Sequence, residues 1–341
     1  MGQATRIKKR LRSYSHWLRY RTGEFFVKGF VGLLPWIPQS FLSGFTKVGA
    51  HLTFHFLRKY PRQMEKNLTL VMAKEFPTRK ERKALVRRAW INFAQGVQET
   101  ATAIGAPKRN TLSGVALEGQ EHLKLALERK KGVIALSAHL GNFTLIGARL
   151  AAEGYPFSVI VKQTKDEGFA RLMDDLRHRI GMKTISARPR REAVQQILKA
   201  LKGNEVVLMV ADELKTSGPE VEFFGQRFPV PRGPVTLAMR SGAALLPMFM
   251  TRDQQNRLTL QISPELDLRQ TGALQEDVTA NLALFSSHLE KMVRRYPDQW
   301  NWLGIRENIR IPREKVRRLR RKALITASQE NLPPAEPRPP L

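Results

Sequence analysis

The 341-residue chain has no cysteine and is poor in acids, with 30 Asp and Glu against 58 Lys and Arg. Without cysteine there is no disulfide scaffold, no thiolate metal site and no thiol nucleophile, and the composition suits a reducing compartment. A long unbroken apolar run is also missing. The uncharged stretch from Gly29 to Thr46 is interrupted by Pro35 and Pro38 and diluted by Gln39, Ser40 and Ser43, whereas a spanning helix needs ~20 predominantly apolar residues. No small-residue cleavage site follows a clear apolar region, so a removable signal peptide is not expected. Neither G-x-G-x-x-G nor a P-loop occurs, and Ser137 does not sit in a G-x-S-x-G elbow. His51 and His55 share a helical face, but Leu52 stands where H-E-x-x-H needs Glu, so they read as helix packing. No metal or cofactor is required.

What is present is a hydrophobic fraction of 42%, enough to bury a core in one large domain or two small ones. The formal net charge of +28 calls for a polyanionic partner, either nucleic acid or an anionic membrane face. The charge is concentrated at the ends. Residues 1–62 hold twelve Lys and Arg and a single acid, Glu24, while residues 306–341 hold ten basic residues and four acids. The N-terminal arm is also aromatic: Trp17, Phe25, Phe26, Phe30 and Trp36 follow Arg6, Lys8, Lys9, Arg10 and Arg12. A basic run followed by aromatic sequence reads as a membrane-surface anchor. Phe41, Phe45, Val48, Leu52 and Phe56 recur at helical spacing and predict an amphipathic helix; such a stripe serves equally as ordinary core.

Residues 1–58 therefore form a basic, aromatic, membrane-associating segment, 59–306 the main domain, and 307–341 a basic helix over 312–322 with a Pro-rich disordered tail. Within the domain a long helix is expected over 79–104, with Leu85, Ala89, Phe93, Val97 and Ala101 on one face. Apolar runs at 132–138, 157–161, 205–211, 244–250 and 258–263 alternate with helices at 165–180, 190–202 and 234–242, and a last helix covers about 274–295. Strands alternating with helices predict an α/β fold, with a mixed, largely parallel sheet flanked by helices and an N-terminal helical segment.

One constellation carries chemistry. Strand 132–138 runs into Ser137-Ala138-His139-Leu140-Gly141-Asn142-Phe143, followed by a helix with Leu145, Ile146 and Leu150. His139 then lies at the carboxyl end of a strand, the edge where open α/β sheets build their sites. A neutral imidazole there can accept a hydroxyl proton. Gly141 allows a close backbone or substrate approach, and the helix N-terminus offers N–H groups to an oxyanion. The plainer alternative is a His that caps the strand.

SAHLGNF, preceded by Leu117-Glu118-Gly119 and an apolar strand, resembles the His-x4-(Asp/Glu) block of the lysophospholipid acyltransferase superfamily, specifically the bacterial lipid A late acyltransferases (lauroyl and myristoyl transferases). The likeness extends in order over about residues 60–306. Arg62-Gln63-Met64-Glu65-Lys66-Asn67-Leu68 resembles an upstream Arg…Asn-Leu segment, and Val161-Lys162-Gln163 falls where Tyr-Arg-Pro is usual. Ala211-Asp212-Glu213 resembles Ala-Asp-Gln, and Phe223-Phe224-Gly225 resembles Phe-Phe-Gly. Arg232-Gly233-Pro234 with Ala238, Arg240, Gly242, Ala243 and Pro247 is similar to a Gly-Pro…Ala…Arg…Gly-Ala…Pro stretch, and Pro297 to Trp302 to a Pro-x-Gln-Trp-x-Trp closure.

The departure is at the fifth residue after His139, where Thr144 stands in place of the acid that orients the histidine in the family. Either another carboxylate substitutes, with Asp212 and then Glu213 as candidates because both end strand 205–211, or acyl transfer is slow or lost; the plainer alternative for Asp212 and Glu213 is a loop-capping pair. The resemblance implies that His139 deprotonates an acceptor hydroxyl, which attacks a fatty-acyl thioester on acyl carrier protein or coenzyme A. It also implies an anionic glycolipid acceptor such as a lipid A precursor, or else a lysophospholipid, and a place on the cytoplasmic face of the bacterial inner membrane. Catalytic candidates are His139, Asp212 and Thr144; substrate-binding candidates are Gly141, Asn142, Lys162, Glu213, Arg232 and Arg240. Lys162 can carry the charge of the usual Arg without its planar fork, and Arg232 and Arg240 are alternatively solvated surface charge. A non-catalytic lipid-binding or nucleic-acid-binding protein is the rival reading, suggested by the basic run from Arg310 to Lys322. No RNP, KH, zinc-finger or helix-turn-helix signature accompanies it, so nucleic acid is not expected.

Overall fold

The computed structural model describes residues 3–107, 112–214 and 218–305, with side chains from Trp17 onward. The basic helix and tail expected after residue 306 lie outside the described residues.

Four helices lead the chain: α1 (Gln3–Leu33), α2 (Gln39–Phe56), α3 (Lys59–Met72) and α4 (Arg79–Gly105). The break between α1 and α2 falls at Pro35 and Pro38, where a 3-10 turn, Leu34–Trp36, replaces the helix, because proline lacks the N–H and crowds the preceding turn. No described helix is long and apolar enough to cross a membrane. Thr78 and Glu81 form a reciprocal capping box at the start of α4, satisfying two end N–H groups.

The rest alternates strands and helices: β1 (Ala116–Glu118), α5 (Gln120–Glu128), β2 (Val133–Ser137), α6 (Ile146–Ala152), β3 (Phe157–Val161), α7 (Glu167–His178), β4 (Met182–Ser186), α8 (Arg190–Lys202), β5 (Val206–Val210), β6 (Glu220–Phe223), β7 (Gln226–Pro229), α9 (Gly233–Ser241), β8 (Ala244–Arg252), β9 (Leu258–Ile262) and α10 (Leu274–Arg295). Among the described residues seven strands form one sheet in the order β1-β9-β8-β2-β5-β3-β4. Every pairing is parallel except β8 with β9. The α/β fold with a mixed, largely parallel sheet flanked by helices is the one expected. All of β2 and all of β8 are buried, and their side chains divide between the two faces. Ile134, Leu136, Leu245 and Phe249 join the core with α3, α4, α8, α9 and α10; Val133, Ala135, Ala244 and Leu246 join the other, under α5 and α6. Each buried Val, Leu, Ile or Phe among them contributes roughly 1.5–3 kcal/mol.

Four elements settle or depart from expectation. Strand β4 mixes buried Met182 and Ile185 with exposed Lys183, as befits an outer strand, and so lacks the apolar run of the central strands. Phe223-Phe224-Gly225 forms a hairpin turn between β6 and β7, with Phe224 and Gly225 at φ of 53° and 67°. Phe224 tolerates that conformation because its N–H donates to Glu290 Oε2 at 2.6 Å and its ring lies under the Arg294 guanidinium. The α4 face is split: Leu85 and Ala89 are buried, but Phe93 and Val97 are exposed. The α2 stripe is not core. Phe41, Phe45, Val48, Leu52 and Phe56 all face outward, and α2 instead packs through Leu42, Ala50 and Phe54.

Candidate active site

Parallel register sets the site. Ser137, the last residue of β2, pairs with Val210, the last of β5, so the chain leaves both strands at the same edge. Two residues further on, His139 and Asp212 stand side by side. His139 Nδ1 and Asp212 Oδ1 are 2.7 Å apart, and the His139 N–H donates to Asp212 Oδ2 at 2.8 Å. Trp300 Nε1 donates to the same Oδ2 at 2.9 Å. Asp212 is 1% exposed, and these donors supply what a carboxylate taken out of water requires. The Phe143 ring meets the imidazole edge-on, with centroids 4.8 Å apart.

The segment after α10 closes the site from the other side. Asn301 N–H donates to the His139 carbonyl at 2.9 Å, Gly141 N–H to the Gln299 carbonyl at 2.8 Å and Asn142 N–H to the Met250 carbonyl at 2.9 Å. Gly141 has φ of 61°, and a Cβ there would run into the Met250 carbonyl oxygen, so glycine is required. Asn67 Nδ2, buried on α3, donates to the carbonyls of Trp302 and Ile305 at 2.6 Å each; the upstream Asn-Leu motif thus pins the closing Trp-x-Trp segment.

A cavity of about 260 Å³ opens onto the dyad. Its apolar walls come from Tyr60, Met64, Trp90, Phe93, Phe143 and Leu258, and its polar groups from His139, Asn92, Arg252, Gln299 and Asn301. Arg252 Nη2 pairs with Glu99 Oε2 at 2.6 Å, and the same Glu99 oxygen accepts from Asn142 Nδ2 at 3.0 Å. Asn142 Oδ1 accepts from Thr144 Oγ1 at 2.7 Å and from Thr100 Oγ1 at 3.2 Å. This network ties the loop after His139 to α4 and to the end of β8.

The expected site residues therefore separate. His139, Gly141 and Asn142 line the cavity, and Asp212 stands behind His139. The backbone N–H groups of Gly141 and Asn142 are committed to carbonyls, and α6, whose N-terminus is expected to offer N–H groups to an oxyanion, begins only at Ile146 after a 3-10 turn. Thr144 is exposed and bonded to Asn142 and Thr100, with no contact to His139 among those described. Lys162, Glu213, Arg232 and Arg240 are absent from the cavity lining. Lys162 is exposed just past β3, and Arg240 lies in the last turn of α9, which leads into the start of β8 beside Val133. That places Arg240 at the opposite sheet edge from His139. Trp300, Asn67, Glu99, Thr100 and Arg252 join the site beyond the residues the sequence predicts; for Asn67 and Trp300 the family-like motifs are the available signal, and Glu99, Thr100 and Arg252 meet only through the fold.

The profile of the family described as bacterial lipid A biosynthesis acyltransferase matches residues 7–306. The chain belongs to that family. As a lipid A-type acyltransferase it takes an acyl donor and a lipid acceptor. A phosphatidylinositol mannoside acyltransferase of Mycolicibacterium smegmatis is 25% identical over 245 residues, covering 71% of this chain and 78% of the relative. A lipid A biosynthesis lauroyltransferase of Escherichia coli is 26% identical over 265 residues, covering 74% of this chain and 80% of the relative. A Mycobacterium tuberculosis phosphatidylinositol mannoside acyltransferase is 27% identical over 187 residues, 54% of this chain and 57% of its own. In this family member Asp212, from another strand, contacts the histidine, and the position of the family's acid holds Thr144.

Proposed function

We propose that the protein transfers a fatty acyl chain from a thioester to a hydroxyl of an anionic glycolipid, with His139 as general base. The carrying observation is the buried Asp212 carboxylate against His139 Nδ1. With Nδ1 held there, Nε2 is the nitrogen that takes the hydroxyl proton, and the carboxylate stabilises the imidazolium that forms. The alkoxide oxygen bonds to the thioester carbon and gives a tetrahedral oxyanion. Collapse of the oxyanion breaks the carbon–sulfur bond, and the proton on His139 passes to the departing thiolate. Asn301, which lines the cavity and whose Oδ1 accepts the Leu303 N–H at 3.1 Å, supplies its Nδ2 to the oxyanion. The apolar walls receive the acyl chain.

The donor is acyl carrier protein or acyl-coenzyme A, both acidic carriers suited to a chain of net charge +28. The outward aromatic residues of α1 and α2, beside the basic arm, support seating on the cytoplasmic face of the inner membrane. The test is mass spectrometry of lipids from a deletion strain. A glycolipid lacking one acyl chain should accumulate and be restored by the wild-type gene but not by His139→Ala. An unchanged lipid profile refutes the acceptor, and the purified protein offered acyl carrier protein and coenzyme A donors separately shows which is used. Salt-sensitive RNA binding without lipid acylation would favour the nucleic-acid reading.

A further inference from the structure

A second cavity, of about 280 Å³, lies around α3 from the catalytic one. Tyr60 and Met64 of α3 line the catalytic cavity, whereas Arg62 and Glu65 line this one. Along α4, Lys83 precedes Trp90 by seven residues, or about 10 Å at 1.5 Å per residue. Arg58, Arg62, Arg79 and Lys83 all line the cavity, with Glu65 the sole carboxylate in its wall among the described residues. Glu65 is engaged by Arg79 Nε at 3.2 Å, and Arg58 Nε donates to the His55 carbonyl. Among the described residues, no acceptor engages the Arg62 or Lys83 side chains. Their positions are set by the buried neighbours Met64, Leu68, Leu85 and Val86, which hold the cations together despite their repulsion. A cavity of this size and charge takes a small anion and repels an acyl chain.

The hydrocarbon partner of that anion is indicated by α2. Phe54 and His55 line the cavity at the end of α2, and the outward face of the same helix carries Phe41, Phe45, Val48, Leu52 and Phe56. An amphiphile with its phosphate among Arg58, Arg62 and Lys83 would have its chains against this aromatic face. We propose that the cavity binds the headgroup phosphate of a membrane phospholipid at a site separate from donor and acceptor. Headgroup binding there orients the catalytic cavity, whose wall includes the exposed Phe93, toward the bilayer. The proposal rests on the membrane-surface reading above.

The test is co-sedimentation of the full chain with phosphatidylcholine vesicles with and without phosphatidylglycerol. Arg62→Ala with Lys83→Ala is compared with Arg190→Ala and Arg191→Ala, an equal charge removal on the exposed face of α8. At ~1 kcal/mol per cation near an anionic surface, the cavity pair should lose about thirtyfold in partitioning, and the α8 pair much less. Equal losses would mean diffuse attraction, and no loss would mean no site; either overturns the proposal. Displacement of wild type by millimolar inorganic phosphate at constant ionic strength would reassign the cavity to free phosphate and overturn it too. The cavity pair should keep the wild-type KM for detergent-dispersed acceptor, whereas a raised KM would place the cavity in the acceptor site. Failure of the wild type itself to bind phosphatidylglycerol vesicles would instead refute the membrane reading.

Discussion

Asp212→Asn tests the dyad without emptying the site. Asp212→Ala would strand three donors, the His139 and Trp300 N–H groups and the imidazole Nδ1, at ~1–3 kcal/mol each when buried and unsatisfied, so lost activity could be lost folding. Asparagine keeps the volume and one acceptor oxygen. Two fixed N–H donors, from His139 and Trp300, converge on Oδ2, so the amide oxygen belongs there and the NH2 turns to Nδ1. Nδ1 must then accept, which moves the imidazole proton to Nε2 and removes the lone pair that would take the hydroxyl proton. In a Ser-His-Asp enzyme this inversion lowers kcat by ~10⁴, or about 5 kcal/mol at 1.36 kcal/mol per factor of ten. Asp212 stands behind the ring and outside the cavity lining, so KM should stay near wild type. The assay is initial rate against acceptor at saturating acyl donor, with circular dichroism confirming the fold. A kcat within about tenfold of wild type, or a raised KM with kcat intact, would refute the reasoning.

Gly141→Ala forces a Cβ into the Met250 carbonyl at positive φ and should lower stability by at least about 2 kcal/mol; an unchanged urea midpoint contradicts this. Thr144→Val removes hydroxyl contacts to Asn142 and Thr100 only, so kcat should fall a few-fold at most; a loss matching that of Asp212→Asn would put Thr144 in the proton path. His288 is held below its ordinary value of 6.5 by burial, with Lys291 adding to the shift; its ring stacks on Phe249, and its Nε2 lies 3.1 Å from Ser263 Oγ. The unfolded chain therefore takes up this proton first, so the stability contributed by neutral His288 is full above about pH 6.5 and falls as pH drops toward the lowered folded value. His288→Gln should lose less stability than wild type between pH 7.5 and 5.5 in urea titrations; an equal loss would show that other groups carry the dependence.

The fold was legible where burial leaves a simple pattern. β2, β3, β5, β8 and β9 each present an apolar run, and the adjacency of His139 and Asp212 follows once strands 132–138 and 205–211 are parallel neighbours. β4 and β1 were not legible, because a solvent-facing outer strand such as β4 mixes Lys183 and Thr184 with its apolar residues and β1 has three residues. The α2 stripe showed amphipathicity but not which way it faces, since an outward aromatic face and a core face have the same period. Trp300, Glu99 and Arg252 meet the site across 88, 43 and 153 residues of sequence separation from Asp212, Asn142 and Glu99 respectively. Local spacing carries no trace of such contacts. Nor does it show that the Gly141 and Asn142 amides are taken by the carbonyls of Gln299, after α10, and Met250, in β8.

The central claim is that His139, set by Asp212, removes the acceptor's proton. Single-turnover transfer from a radiolabelled acyl thioester to the lipid acceptor by His139→Gln tests it most directly, since it isolates chemistry from binding and product release. The rate should fall by at least ~10²-fold, the scale of a lost general base, with donor binding retained. Transfer at the wild-type rate would contradict the claim.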